Sequence, residues 1–488
     1  MTSAQHAGQR RWLVLVLVVL VLVGLAVASR TPGKAHPGGP PLAPASMVSA
    51  PDTESSAWYC TGQTTVAGAL APGSVVLTNT GTRRVTGTID AVTDTGATVN
   101  RPVSVPARDQ VVATVPAPKS GTWLSEVVLL SGGGVAVSQT LHGSSGWAEA
   151  PCQSSTSQRW YFPSGVTLGS DSMFIALFNP TSTPDVVDLS FATAKGVQRP
   201  INFQGLVLAP GQTQVESVAP YVQDQAQVST TVTTRTGRVV AGELELLTGS
   251  ATGMAIVPAS ARAEDEWAIP QSIEAPTGSS TIDVFNPGTR PQEVTVQARL
   301  GSGALAPFRV QVAPRSTWVL STSAQTRIPK DDLYTAVVEA RGGSGVVVGR
   351  TVGVANATPL PAAGLANALD ALTVRTASQR WVVPAPGSPA VPAVVGAAPF
   401  HLAVDNLTAR PEHYVVYVMT RSALVPVSSG HIAARATYSS SSSVLAQVGR
   451  NPVIVQTDGR SAVSEDVGPA GTFGAVSISG IALARSPG

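Results

Sequence analysis

Tryptophan recurs in this chain with a spacing that a single small domain does not produce. Trp58 begins WYC, Trp160 begins WYFP, Trp267 begins WAIP and Trp381 begins WVVP, at separations of 102, 107 and 114 residues. A period of that size marks an internal repeat, which has to be recognised before any motif is weighed. Ser157-Gln158-Arg159-Trp160 and Ser378-Gln379-Arg380-Trp381 are the same tetrapeptide. Further landmarks keep step. An Asn closes an apolar run 21, 19, 19 and 25 residues after each Trp: Asn79, Asn179, Asn286 and Asn406. A second turn follows at Pro106, Pro210, Pro314 and the corresponding Ala434. Late in each unit comes a β-branched run: Gly134-Val135-Ala136-Val137, Gly237-Arg238-Val239-Val240, Gly345-Val346-Val347-Val348 and Pro452-Val453-Ile454-Val455.

Each unit holds short apolar runs separated by Gly, Pro, Asn, Ser and Thr, without a sustained helical period. Charged residues are 12% and aromatics 5% of the 488 residues, and there are 46 Gly and 38 Pro. That mixture is too apolar for disorder and too poor in Glu and Lys for a mainly helical chain. The expected fold class is all-β: tandem antiparallel β-sandwiches, broadly immunoglobulin-like, after one N-terminal transmembrane helix. A β-propeller is the alternative, but its blades need only about 40–50 residues. The expected boundaries are a cytoplasmic tail at 1–11, an anchor or signal peptide at 12–29, a Pro-rich stalk at 30–57, and sandwich units at 58–155, 156–262, 263–376 and 377–488. One candidate helix falls at 362–372, in the extended passage between the third and fourth units.

Residues 12–29, WLVLVLVVLVLVGLAVAS, carry no charge. As a helix rising about 1.5 Å per residue they would span roughly 27 Å, close to a bilayer core. Arg10 and Arg11 precede them and 1–29 contains no acid, so the positive-inside rule places everything after Ser29 outside the cytoplasm. Cleavage after Ala26-Val27-Ala28 would give a secreted protein instead. The stalk has six prolines and reads as an extended tether. Cys60 and Cys152 lie in the exported part and are expected to form a structural disulfide. By repeat position, Phe162 should then approach Ala259, because a bridge needs Cα atoms within about 7 Å.

The motifs of chemistry are sparse. The sequence has no GxSxG, SxxK, HExxH or CxxC, so no catalytic, cofactor-binding or metal-ligating residue is assigned. His401 and His413 flank the Asn406 turn and read as surface or strand residues. Glu264-Asp265-Glu266 reads as a solvated connector, with a Ca²⁺ clamp between units as the alternative. Trp123 and Trp147 stand outside the repeat-start position, beside Gly and Ser; they are candidate glycan contacts, with a capped core as the competing reading. The repeat-start tryptophans read as core.

With its WYFP, FNP, PG and late Val-run landmarks, the chain resembles an uncharacterised actinobacterial family of large secreted or single-pass membrane proteins with tandem WxxP…NP…PG repeats. The resemblance implies an extracytoplasmic β-rich protein and carries over no site residue. Excluding Arg10 and Arg11, the remaining 29 basic and 29 acidic residues balance, which argues against nucleic acid as a partner. The expected function is a non-enzymatic, membrane-anchored envelope scaffold or interaction module, contacting an envelope protein or glycan. The alternatives are a glycan-binding accessory protein of wall or polysaccharide assembly and, third, a hydrolase whose site is assembled in space.

Overall fold

The computed structural model describes residues 46–484 apart from 66–69, 117–119, 144–145, 249–251, 258, 274–277, 301–302, 330–332, 355–364, 369–371, 374–377, 386–397 and 469–475. The described residues are nearly all β, in several mainly antiparallel sheets. No helix among them is long and apolar enough to cross a membrane; the apolar run at 12–29 lies outside them. Strand patterning is direct in the sequence: Gln292–Leu300 and Glu412–Met419 bury alternate residues, as a strand with one face on a core requires.

The sheets pair off along the chain. In the first sandwich, Ser56–Thr64, Trp123–Leu130, Val85–Thr93 and Thr98–Val105 form one sheet, and Asp109–Ala113, Gly73–Asn79, Val135–Gly143 and Gly146–Pro151 form the other. Trp58, Ile89 and Val128 of one meet Val75, Leu77 and Val137 of the other in a single core. The same apposition recurs around Trp160, Trp267 and Trp381. The four Trp are at most 3% exposed. Three donate Nε1–H to the strand opposite: Trp160 to Val239 O and Trp267 to Val346 O at 2.8 Å, and Trp381 to Ser461 Oγ at 3.1 Å. Cys60 and Cys152 are bonded, with Cα atoms 4.8 Å apart. Closing 92 residues is worth on the order of 4 kcal/mol in the chain-entropy model. Beside the bridge, Tyr59 exchanges backbone hydrogen bonds with Gln153. Tyr161 and Ser260 repeat that exchange without a disulfide, and Phe162 and Ala259 share one core.

The described residues make one compact body rather than a row of beads. One late strand of each sandwich, Gly146–Pro151, Thr252–Val257, Leu365–Ala368 and Val476–Ser479, is antiparallel to the strand before it. They also adjoin one another in cyclic order, the first beside the second, the second parallel to the third, the third beside the fourth and the fourth beside the first. The four sandwiches therefore surround a common hub. Between the second and third the pairing is continuous, so that one eight-stranded sheet runs from Thr213–Ser217 to Ser316–Ser321. Every junction is tied by polar contacts. Thr213 donates to Val92 O at 2.9 Å, Ser164 to Asp283 Oδ2 at 2.6 Å, Arg299 to Arg435 O at 3.2 Å, and Arg421 pairs with Asp109 at 2.8 Å.

Two expectations are corrected. Residues 46–57, read as the end of the stalk, belong to the folded body: Met47–Val48 pairs in parallel with Ile481–Leu483, and Ser46 donates to Cys152 O at 2.8 Å. The chain thus comes in where the fourth sandwich meets the first. Within the candidate helix at 362–372, Leu365–Ala368 is a strand paired with Val347–Val354. Ala and Leu favour a helix there, but hydrogen bonds offered by a neighbouring sheet edge override propensity. The α-helix among the described residues is Ser442–Val448.

Candidate functional site

The repeated asparagines are structural latches. All four are fully buried. Asn286 donates from Nδ2 to Arg290 O at 2.8 Å and to Val312 O and Ala313 O at 3.1 Å, and accepts at Oδ1 from Gly288 N–H at 3.0 Å. Asn79 and Asn406 make the same set of bonds, and Asn179 bonds to Thr183 O, Leu208 O and Thr181 N–H. One amide thus holds together the two turns that had appeared as separate landmarks. The second turn passes through left-handed backbone at Arg108, Gly211, Arg315 and Arg435.

A further repeat surrounds the hub. Ala136-Val137-Ser138-Gln139, Val240-Ala241-Gly242-Glu243, Val347-Val348-Gly349-Arg350 and Ala462-Val463-Ser464-Glu465 occupy equivalent strands. Their last residues, Gln139, Glu243, Arg350 and Glu465, are all buried. The small residue before them permits close approach: a Cβ at Gly242 would stand 2.3 Å from Thr61 Oγ1 of the first sandwich. Around this ring of polar positions lie more buried carboxyls. Burial pushes Glu245 up to about 7 and Asp283 up to about 6, the latter against hydrogen bonds from Ser164, Thr281 and Thr351. Glu243, beside Glu245 on one face of its strand, is pushed well above the carboxylate range by burial and by that neighbour. Burial also pushes Glu126 up to about 7, against a hydrogen bond from Gln63. Paired carboxyls of this kind resemble acid–base machinery, yet Glu243 and Glu245 are only 2% and 3% exposed.

The accessible site is elsewhere. Between the second and third sandwiches runs an open groove of about 660 Å³. Arg159 reaches it from strand Arg159–Phe162, Arg199 from just past Gly196–Gln198, Arg262 from the connector and Arg315 from the left-handed turn before Ser316–Ser321. Tyr161 and Phe285 also line it, their ring centres 6.5 Å apart, together with the hydroxyls of Ser190, Thr231 and Thr289. No carboxylate is among the lining residues. Arg159, Arg199 and Arg315 make no ion pair among the described residues. The cleft where the fourth sandwich meets the first is smaller, about 380 Å³, and one arginine lines it, Arg380, the repeat counterpart of Arg159. Val48 and Leu483, from the paired strands Met47–Val48 and Ile481–Leu483, and Ser49 beside them occupy its wall.

The two tryptophans read as glycan contacts are elsewhere. Trp147 is 3% exposed and packs in the core of the fourth sandwich with Trp381 and Val404, which corrects its reading as a platform: its ring face is not offered to solvent. Trp123 is half-buried against Phe174, ring centres 4.9 Å apart, at the junction of the first and second sandwiches. Glu264, Asp265 and Glu266 are not a free linker, since Glu264 bridges to Val346 and strand Glu266–Ile273 starts at once. The groove arginines escaped sequence reading because they lie on four separate segments. The hub polar position left a trace, a small residue followed by Gln, Glu or Arg, in or just after the late apolar runs of the first three units; in the fourth it lies at Ser464-Glu465, past the run 452–455.

Residues 130–331 match a family of unknown function, DUF5719. No curated protein matches the chain. The matched segment contains every groove residue named above.

Proposed function

We propose that this protein is a non-enzymatic, membrane-anchored module of the cell envelope that holds a rigid four-part ring outside the cytoplasm and recognises an envelope component through the groove between its second and third sandwiches. The observation that carries this reading is the position of that groove. In a cyclic order of four, the junction of the second and third sandwiches lies across the ring from the junction of the fourth and first, where the chain comes in at Ser46. A tether joined at one side leaves the opposite groove clear for a partner. The non-enzymatic part draws support from the burial of the hub carboxyls, which a substrate in solution does not reach. The apolar run at 12–29 behind Arg10 and Arg11 supports the anchor and its orientation.

A reporter enzyme that is active only outside the cytoplasm, fused after Gly488, should be active in intact cells and stay with the membrane fraction. Photo-crosslinking from Arg199 should capture an envelope component, and from exposed Arg84 of the first sandwich should not. An inactive reporter, or the same capture from both positions, would overturn the proposal.

A further inference from the structure

We infer that the groove between the second and third sandwiches is an anion-binding site for a chain bearing phosphate or carboxylate groups. The inference rests on reading this groove as the recognition face and adds the chemical class of its ligand. Four arginines line one open space with no lining carboxylate, and three of them, Arg159, Arg199 and Arg315, make no ion pair among the described residues, in a protein whose charges balance once Arg10 and Arg11 are set aside. Like charges gathered around one cavity repel each other, and an anion seated among them removes that repulsion. Arginine is also the side chain suited to the task, because its planar fork gives two parallel N–H donors to a phosphate or carboxylate. The neighbouring lining adds Tyr161 and the Ser190, Thr231 and Thr289 hydroxyls, which suits a ligand with both hydroxyl-bearing and charged parts. A groove open to solvent and about 660 Å³ in volume admits several linked units rather than one small ion. The fourth–first cleft provides the internal contrast: the same repeat position there supplies Arg380 alone, and the chain's own strands take up its wall.

The test is a calorimetric titration of the full-length protein in detergent with three probes: inorganic tripolyphosphate, tri-galacturonate and uncharged maltotriose. At least one anion should bind, more weakly as salt rises, and maltotriose should not bind. Which anion binds more tightly tells a phosphate-bearing from a carboxylate-bearing source. Arg159→Ala with Arg199→Ala should weaken binding roughly tenfold or more, since each removes a charge-assisted contact. Both positions are exposed, so the melting temperature should hold. Arg315→Gly, at a φ of 51° that glycine accepts, should weaken binding as well. Arg83→Ala with Arg84→Ala, exposed in the first sandwich, should leave it unchanged. Failure of both anions to bind, tighter or equal binding of maltotriose, or equal loss in the Arg83/Arg84 variant would overturn the inference. If anions fail while the reporter and crosslinking results stand, only the ligand class is wrong; if anions bind but the reporter is inactive, only the cellular reading is.

Discussion

Asn286→Asp should lower the melting temperature by on the order of 4 °C, the expected cost spread over the unfolding entropy of one body of roughly 440 residues. The substitution keeps the shape and replaces Nδ2 by an oxygen facing Arg290 O, Val312 O and Ala313 O. Three carbonyls lose their donor, and a fully buried carboxyl meets three acceptors. Breaking a buried polar arrangement in this way costs about 3–5 kcal/mol. Asn286→Ala should cost less, because it leaves groups unsatisfied without adding a charge. Asn79→Asp should behave as Asn286→Asp does, since its amide makes the same bonds. Thermal melts followed by circular dichroism decide it; losses within one or two degrees of an exposed control such as Ser182→Ala would show that the two turns hold without the amide.

Stability should also fall as pH rises from about 5 to 8. Glu126 and Glu245 are pushed to about 7 and Asp283 to about 6, and Glu243 is raised well above the ordinary carboxylate value, all first by burial. An unfolded chain ionises these carboxyls near their reference values of about 4. Between those limits the folded protein binds more protons than the unfolded one, so the slope of unfolding free energy against pH is negative. Each unit of elevation costs about 1.4 kcal/mol once the pH has passed it. Asp188 acts in the opposite sense: its hydrogen bonds with Arg235 lower its pKa, so its contribution disappears as pH falls below about 4. The maximum should therefore lie near pH 5, with a melting temperature on the order of 10 °C higher than at pH 8. Glu126→Gln with Glu245→Gln should flatten the profile while keeping amide oxygens as acceptors. A flat or rising profile in the unmodified protein would mean that water or counter-charge reaches these groups.

What the sequence made legible is what is written locally. Trp58, Trp160, Trp267 and Trp381 announce a core because a large ring at a repeated position answers a repeated packing need, and Asn79 and its counterparts announce a turn. The all-β class follows from runs such as 292–300. Closure around a hub is not local. The hub strands, GWAEAP, TGMAIV, LANA and VSIS, are short and partly Ala-rich, and their neighbours across the hub lie roughly 100 residues away along the chain, or 330 where the fourth meets the first. LANA therefore read as helix, and Met47–Val48 read as stalk, because two residues form a strand only where Ile481–Leu483 waits to pair. Trp147 and Trp123 show the same limit from the other side, since a Trp beside Gly and Ser looks alike whether its ring meets solvent or a neighbouring sandwich. The groove depends wholly on the closure. Arg159, Arg199, Arg262 and Arg315 span 157 residues and converge only because the second and third sandwiches share a continuous sheet.

Closure is thus the premise on which groove, hub and tether position all rest, and small-angle X-ray scattering of residues 46–488 measures it directly. A compact body of that length should give a radius of gyration of about 22 Å. Four separate sandwiches strung in a row would give roughly 40 Å, taking about 13 Å for each unit of about 100 residues. A value near the first supports the closed ring; a value near the second, with the elongated distance distribution of a rod, would contradict it.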